Sequence, residues 1–504
     1  MERDMEAPYI ERIPILRRQK KGCFSNIPKR FVLVLLGFLG IINVYAMRVN
    51  LSVAMVAMVQ QTTDPVDIQS PDVACKELIP PMDTGNSSFP HKRGDFDWDS
   101  STQATILGSF FYGYVVTQIP GGILAEKYGA KWLFGIGVLV TSLFTLLTPL
   151  AAELGVSYLV FVRVMEGLGE GVTYPAMNVM IGRWAPKVER SRMSAIIYTG
   201  SAVGNVFSFA LSGIISANIG WPSVFYIFGA LGVIWTVFWL LFIYETPEKH
   251  PYISEEEIKV IRYGQDNKTW EKSPTPWKSI LTSFSVWALV LTHFGQNWGF
   301  YTLLTELPTY LASILHFNIK KNGIVSSLPY LTQAVFAILG SCMADYLRKS
   351  GRFRINVIRK TFNSFAFFVP AICVGLVGFV GCEPNIIIAL FTLAMGFNGF
   401  MHSGFNVTHV DMSPEFSGTL MGLTNCIANL TGFLAPLYVG FITESGQTVE
   451  NWTYVFVTTS IVFLVSGVIY NAFCTAELQP WGKSKSEDRR PSDDDRAPII
   501  EDPS

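Results

Sequence analysis

The stretch Gly121-Gly122-Ile123-Leu124-Ala125-Glu126-Lys127-Tyr128-Gly129-Ala130-Lys131-Trp132 has a counterpart at Gly340-Ser341-Cys342-Met343-Ala344-Asp345-Tyr346-Leu347-Arg348-Lys349-Ser350-Gly351. Each is a short charged loop set between long apolar runs. Aligning Ala125-Glu126 with Ala344-Asp345 gives an offset of 219 residues, close to half of the 504-residue chain. A chain built as two copies of one membrane unit reads this way, and many transporters place their site between such copies.

Working outward, the apolar runs are long enough to cross a bilayer, which takes about 20 residues each. Twelve candidates occur, at 31–59, 102–124, 132–151, 156–181, 191–217, 221–244, 284–313, 323–344, 357–380, 386–409, 416–442 and 452–474. Half of the chain is hydrophobic and 15% is charged, against about 25% charged in soluble chains. The composition excludes a nucleic-acid-binding protein, a secreted disulfide module and a disordered scaffold. The expected fold is an all-α membrane protein with twelve transmembrane helices in two pseudo-symmetric six-helix halves. The first span begins too late and runs too long for a cleaved signal peptide.

Lys and Arg set the orientation. The N-terminal tail, the C-terminal tail and the loops on their side hold 31 of them; the other side holds five. Both termini are therefore expected in the cytosol. The domains read as an N-terminal tail 1–30, a six-helix half 31–244 with a lumenal loop 60–101, a cytosolic linker 245–283, a second half 284–474 and a tail 475–504. Asn86, in Asn86-Ser87-Ser88 on the long lumenal loop, is the expected glycan acceptor. Glu11, Ile15 and Leu16 form an acidic dileucine-like sorting element that adaptor proteins would read. The expected location is a lysosomal or other acidic vesicle membrane, with the plasma membrane as the alternative. Cys75 and Cys382 share the lumenal side, which permits a disulfide; coincidence of compartment explains them equally well.

Two bases remain inside spans, Arg48 and Arg163. A buried Arg costs about 3 kcal/mol at bilayer depth unless it is paired or faces water. Arg48 has no acid in its own span. It reads either as a fixed cation for an anionic substrate, where its fork suits a carboxylate, or as half of a structural ion pair. Arg163, Glu166 and Glu170, three and four residues apart, share one helical face. Carboxyls whose surroundings change as a carrier rocks can load and release protons, so Glu170 and Glu166 are candidates for coupling with Arg163 as their cation. The other reading is simple neutralisation within the face. His293, Gln296 and Asn297 on the seventh span suit a polar substrate or inter-helix hydrogen bonds. Tyr114 is the binding candidate in an aromatic set with Phe110, Phe111 and Tyr112, and His402 and His409 read as packing. No nucleophile elbow, P-loop, HExxH or CxxC occurs, so no enzyme, cofactor or metal site is expected.

The loop Gly122-Ile123-Leu124-Ala125-Glu126-Lys127-Tyr128-Gly129-Ala130-Lys131 and the run Arg163-x-x-Glu166-Gly167-x-Gly169 resemble signatures of the major facilitator superfamily. RVNLSVAMV, GSFFYGYVVTQIPGG, EGLGEGVTYPAMN, NWGFYTLLTELPTYL and SSLPYL resemble the anion transporter family that holds sialin, the vesicular glutamate and nucleotide transporters and the sodium–phosphate cotransporters. The resemblance runs over about 440 residues, and its sialin-like branch fits best. Leu107 and Gln296 stand where the vesicular glutamate type has a histidine and a second arginine, and Asn178 where sialin has a histidine. The resemblance implies that Gly122, Glu126, Lys127, Gly129 and Lys131, with Asp345 and Arg348, form conformational loops. It implies a carrier, with a receptor or channel as the rival class. The expected activity is proton-coupled export of an acidic sugar or monocarboxylate from an acidic organelle. The alternatives are sodium-dependent phosphate or organic anion import, or vesicular transport of glutamate or nucleotide.

Overall fold

The structure, a computed structural model, describes residues 28–59, 74–78, 94–186, 189–262, 275–413 and 416–482, without the side chains of Ile119, Glu126, Arg190 and Ser191. Asn86, Glu11, Ile15 and Leu16 lie outside the described residues, as does the Glu126 side chain. Within them the chain is helical, with one isolated bridge between Val59 and Phe96.

The first three spans are Lys29–Met58, Ser100–Tyr128 and Ala130–Leu154. The fourth is broken into Val156–Gly171 and Thr173–Trp184. Arg190–Asn218 and Pro222–Phe242 complete the first half. The seventh to ninth spans are Phe284–Ser313, Ile319–Lys349 and Ile355–Val380. The tenth is broken into Pro384–Asn398 and Phe405–Met412, and the eleventh into Ser417–Ala428 and Thr431–Ile442. Val449–Phe473 is the twelfth. Among the described residues, nine spans are apolar and long enough to cross a membrane by those criteria alone. The fourth is not among them. It carries Arg163, Glu166 and Glu170, and such residues reach bilayer depth only where a bundle interior receives them.

A short helix, Glu255–Arg262, follows the first half in sequence, packs on it through Ile261 and marks the linker end of the molecule. Glu257 on it accepts the Lys29 and Arg30 backbone N–H groups, each at 2.9 Å, which caps the first span. A carboxylate there meets unpaired donors and the positive end of the helix dipole.

The halves meet at the opposite, far end. One buried cluster joins Val49, Val53 and Phe209 of the first half to Tyr310, Phe391 and Val439 of the second. Two other clusters, nearer the linker end, belong to one half each. In the seal, Phe209 stacks on Tyr330 at 5.2 Å, and Gln447 Nε2 donates to Ser100 Oγ at 2.9 Å. Gly213 and Gly323 permit a close approach: a Cβ on Gly213 would stand 2.7 Å from the Ile319 oxygen and 2.9 Å from the Gly323 Cα. At the linker end, by contrast, a Cβ added to Gly418 or Gly422 would meet nothing within 4 Å. The conformation is closed at the far end and parted at the linker end.

Cys75 and Cys382 form a disulfide, with Cα atoms 5.5 Å apart. The bond fastens the loop after the first span to the turn between the ninth and tenth, so it crosses from one half to the other at the far end. His316 Nε2 lies 2.7 Å from the Ala74 carbonyl and holds the same segment.

Candidate functional site

Arg48 and Glu170 lie 122 residues apart in sequence and meet in the middle of the first half. Arg48 Nε donates to Glu170 Oε1 at 2.6 Å, and its Nη2 donates to the same oxygen. Both side chains are buried. Of the two readings of Arg48, an ion pair is present in this conformation, and its acid comes from the fourth span packed alongside rather than from the first span itself. The second carboxylate oxygen of Glu170, Oε2, is buried without a hydrogen bond. Three aromatic rings wall the guanidinium: Tyr45 at 4.5 Å, Tyr114 at 4.6 Å and Phe110 at 5.4 Å from ring centroid to Cζ. Cation–π contact of this kind favours a desolvated guanidinium.

The spans can come this close because the fourth presents glycine to the second. A Cβ on Gly167 would overlap the Phe110 carbonyl. The helix break at Val172 follows at once, and Thr173 Oγ1 donates to the Glu170 carbonyl at 2.6 Å, holding the end of the first segment. Discontinuous helices with satisfied ends are how membrane carriers place polar backbone at mid-depth.

Arg163 and Glu166 form a second buried pair one turn earlier on the fourth span. Here the carboxylate is fully engaged. Oε2 takes Arg163, and Oε1 accepts Thr148 Oγ1 at 3.0 Å. Arg163 Nη2 also donates to the Arg48 carbonyl at 3.3 Å, which ties the two pairs together. The shared helical face read from the sequence is real, but its charges are divided: Arg163 serves Glu166, and Glu170 turns to Arg48. A cavity of about 10 Å³ lies beside both bases, lined also by Ser52, Phe111, Leu304 and Thr305. That is room for about one water molecule.

The seventh-span candidates lie elsewhere. His293 Nδ1 is 3.0 Å from Thr424 Oγ1, and His409 Nε2 is 2.8 Å from the same hydroxyl. Gln296 exchanges two hydrogen bonds of 2.7 Å with Asn398, which also accepts Gln333 Nε2 at 3.0 Å. These are contacts within the second half. Arg48 therefore does not face His293 and Gln296, as opposed first and seventh spans would suggest, and helix rise is the reason. Thr305, which does reach the cavity, stands nine residues beyond Gln296, roughly 13 Å along the axis. Asn297 is half-buried. Tyr301 is the seventh-span residue nearest to the site in role: its hydroxyl donates to Asn429 at 2.7 Å and its ring meets Phe111 at 4.6 Å. His402 lies 3.2 Å from Asn406 on its own span. Tyr112 faces outward against Phe433 at 5.0 Å.

Comparison with known proteins agrees with this architecture. Residues 37–436 match the Major Facilitator Superfamily model. The chain belongs to that superfamily. Within it the chain is 41% identical over 475 residues to sialin of Homo sapiens, covering 94% of this chain and 93% of that one. It is 39% identical to a putative inorganic phosphate cotransporter of Drosophila melanogaster, covering 95% and 90%. It is 37% identical to vesicular glutamate transporter 1 of Bos taurus, covering 92% and 79%. The chain is therefore an anion transporter of this superfamily. A bacterial homolog of the human lysosomal transporter Spinster, solved inward-facing and occupied, shares the fold with a TM-score of 0.65 at 16% identity, over 88% of this chain and 97% of that one.

In this transporter the signature loop ends at Gly129, whose φ of 114° turns the second span sharply into the third. An acid that the sequence reading missed holds the turn after it. Glu245, at the end of the sixth span, accepts the Ala130 N–H at 2.8 Å and the Lys131 N–H at 3.0 Å, and Arg183 pairs with it. Lys131 Nζ donates to the Leu240 carbonyl at 3.0 Å. Lys127 is exposed beside Tyr128, and Gly122 is partly buried near Pro175. Asp345 and Arg348 are exposed. In the second half the buried Arg359 pairs with the partly buried Asp411, at 2.7 Å. A further missed residue is Glu306, buried on the seventh span; an acid inside an apolar run was the signal for it.

Proposed function

We propose that this transporter exports small organic monoanions from an acidic compartment, coupled to protons, by competition for Arg48. The observation that carries the reading is the Arg48–Glu170 pair with its unused carboxylate oxygen. An ionised Glu170 occupies the guanidinium fork. A proton on Oε2 removes the charge, and the fork becomes free for a substrate carboxylate, which it can bind through parallel hydrogen bonds. Glu166 cannot compete for this role while Thr148 and Arg163 occupy both of its oxygens. Its pair fixes the backbone of Arg48 instead.

The cycle follows from alternating access of the two halves. With the far end open to acid, Glu170 is protonated and Arg48 takes the anion. The halves rock, and the linker end opens to the neutral side. Glu170 then loses its proton, reclaims Arg48 and expels the anion. One proton and one monoanion move together, so the step carries no net charge. The conformation described above, with the pair made and only a water-sized cavity beside it, corresponds to the state after release. Tyr114, Tyr45 and Phe110 hold the guanidinium in position throughout. His293, Gln296 and Asn297 shape the second half of the path rather than contact the carboxylate.

On this reading the linker and both termini are cytosolic, as the Lys and Arg distribution implies. The far end is then lumenal, with Asn86 glycosylated, and the dileucine-like tail engages adaptor proteins for delivery to lysosomes or related vesicles. The segments Gly122–Lys131 and Asp345–Arg348, which are helical ends of the second, third and eighth spans rather than the loops expected, govern closure of the cytosolic end. A second reading, sodium-driven phosphate uptake, draws on the phosphate cotransporter relative. Proteoliposomes separate the two. Uptake of labelled glucuronate, lactate, glutamate and phosphate is measured under a proton gradient or a sodium gradient alone. Accumulation of a monocarboxylate driven by protons supports the proposal; accumulation driven only by sodium replaces it.

A further inference from the structure

The halves are parted at the linker end, yet Arg48 is only 5% exposed. Helix direction places the side chains that shut it off. The first span runs from the linker end to the far end, so Tyr45, about one turn before Arg48, covers the guanidinium from the linker side. The second span runs the other way, from Ser100 at the far end. Tyr114, which also covers the guanidinium, stands one turn nearer the linker end than Phe110. Both tyrosines belong to the first half. The small cavity beside Arg48 takes Leu107 and Phe111 from the second span, and Leu304 and Thr305 from the seventh. Phe111 is its limit toward the linker end on the second span. On the seventh span, which runs toward the far end, Tyr301 stands one turn nearer the linker end than Thr305. Phe111 and Tyr301 meet there across the two halves, with ring centroids 4.6 Å apart, and both are buried.

Phe111 sits in a socket of the second half. A Cβ on Gly432, on the eleventh span, would overlap the Phe111 ring, so only glycine admits it. Tyr301 forms the other wall, and its hydroxyl is fixed by donating to Asn429 Oδ1 at 2.7 Å. Asn429 Nδ2 in turn donates to the Asn425 carbonyl at 2.8 Å and to Gln118 Oε1 at 3.4 Å, the latter back across the halves. Gln118 lies seven residues beyond Phe111, roughly 10 Å nearer the linker end. Contact between the second and eleventh spans thus runs from Ala104 and Gly440 at the far end, past Phe111 and Gly432, down to Gln118 and Asn429.

The eleventh span breaks at this point, between Ser417–Ala428 and Thr431–Ile442. A tilt of the linker-side segment about the break draws Asn429 off Tyr301 and Gln118 while the far-end seal stays shut. We propose that Phe111 in its socket of Tyr301 and Gly432 is a thin gate between Arg48 and the linker-side opening, fastened by the hydrogen bonds from Tyr301 through Asn429 to Gln118. Parting the halves at the linker end does not by itself release the anion; the gate opens in a second, local step. With gate and seal both shut, Arg48 is closed to both sides, which blocks leakage while the halves rock. The gate rests on the Arg48 reading for what it releases, and stands or falls by itself as the barrier to the cavity.

The test uses the full chain in nanodiscs without substrate. Ser52, which lines the cavity and is buried, is changed to Cys, and the cysteines other than Cys75 and Cys382 to serine. Its reaction with the anionic reagent sulfonatoethyl methanethiosulfonate is followed by mass. In separate preparations, spin labels at Leu154→Cys and Asn385→Cys report the far end. Phe111→Ala should speed labelling of Ser52→Cys by about tenfold, the worth of an aromatic pair, with far-end distances unchanged. Tyr301→Phe and Asn429→Ala, which loosen the fastening and leave the Phe111 ring in place, should each speed it by a smaller factor. The proposal is overturned if all three variants label at the parent rate. It is also overturned if labelling rises only where far-end distances lengthen, since the route then runs through the seal. Glucuronate binding by the same proteins judges the exporter reading separately: faster labelling in a protein that binds no glucuronate would keep the gate and remove that reading.

Discussion

Changing Glu170 to Gln should make anion binding tighter while abolishing concentrative transport, an unusual combination that follows from competition for one guanidinium. In the wild type at neutral pH a substrate must displace a carboxylate that receives two donors from Arg48, one at 2.6 Å. Hydrogen bonds involving a charged group contribute about 1.5–3 kcal/mol net. An amide in place of the carboxylate retains only a neutral acceptor. If one such bond's worth of competition disappears, the dissociation constant for a monocarboxylate at neutral pH should fall roughly 10- to 150-fold. Binding should also lose its pH dependence, because the group that switched it has gone. The assay is scintillation-proximity binding of labelled glucuronate to purified protein at acidic and neutral pH, with counterflow in proteoliposomes alongside. The wild type should bind better in acid and approach the variant's affinity there. Glu170→Gln should exchange substrate and fail to accumulate it under a proton gradient. Unchanged affinity with an unchanged pH profile would refute the competition, as would proton-driven accumulation by the variant.

Arg48→Ala should lose binding, and Arg48→Lys should lose most of it, since a point charge cannot reproduce the fork; wild-type affinity in either would remove Arg48 from the substrate site. Gly213→Leu should prevent far-end closure, since even a Cβ there meets the Ile319 oxygen at 2.7 Å; spin labels at Leu154→Cys and Asn385→Cys, exposed far-end positions of opposite halves, should report longer distances than in the parent protein. His250 in the linker is held down to about 4 by burial and by the neighbouring Lys29 charge, from an ordinary 6.5, and its Nδ1 accepts the Tyr252 N–H at 3.1 Å. Its folded value is depressed, so linker docking is complete above about 6.5 and weakens as pH falls toward 4; hydrogen exchange in Glu255–Arg262 should quicken over that window and not above it. Asp99 caps the second span by accepting the Thr102 N–H at 2.8 Å, and Asp99→Ala should destabilise that half by about 1 kcal/mol, read as a lower midpoint of thermal unfolding. Deglycosylation should shift the wild type on a gel and leave Asn86→Gln unmoved; a glycan elsewhere would contradict the assigned topology.

What the sequence determined by itself was the membrane-spanning scaffold. A span in lipid must satisfy its backbone internally, so each apolar run becomes a helix whatever its neighbours do. Hence the twelve segments, the repeat at 219 residues and the clustering of Arg163, Glu166 and Glu170 on one face were all legible as local pattern. The breaks in the fourth, tenth and eleventh spans were not read there, although Pro175 deprives the Gly171 carbonyl of its helical partner just where the fourth span breaks at Val172. Tertiary structure alone decided which charges pair. The partner of Arg48 lies 122 residues away on a face that becomes its neighbour only when two helices dock, and the cap on the signature loop, Glu245, stands 115 residues from Ala130. Helical spacing says which side chains share a face. It does not say which face meets which, or at what depth, and those two quantities put Thr305 beside the cavity, left Gln296 with Asn398, and buried Glu306 within the second half.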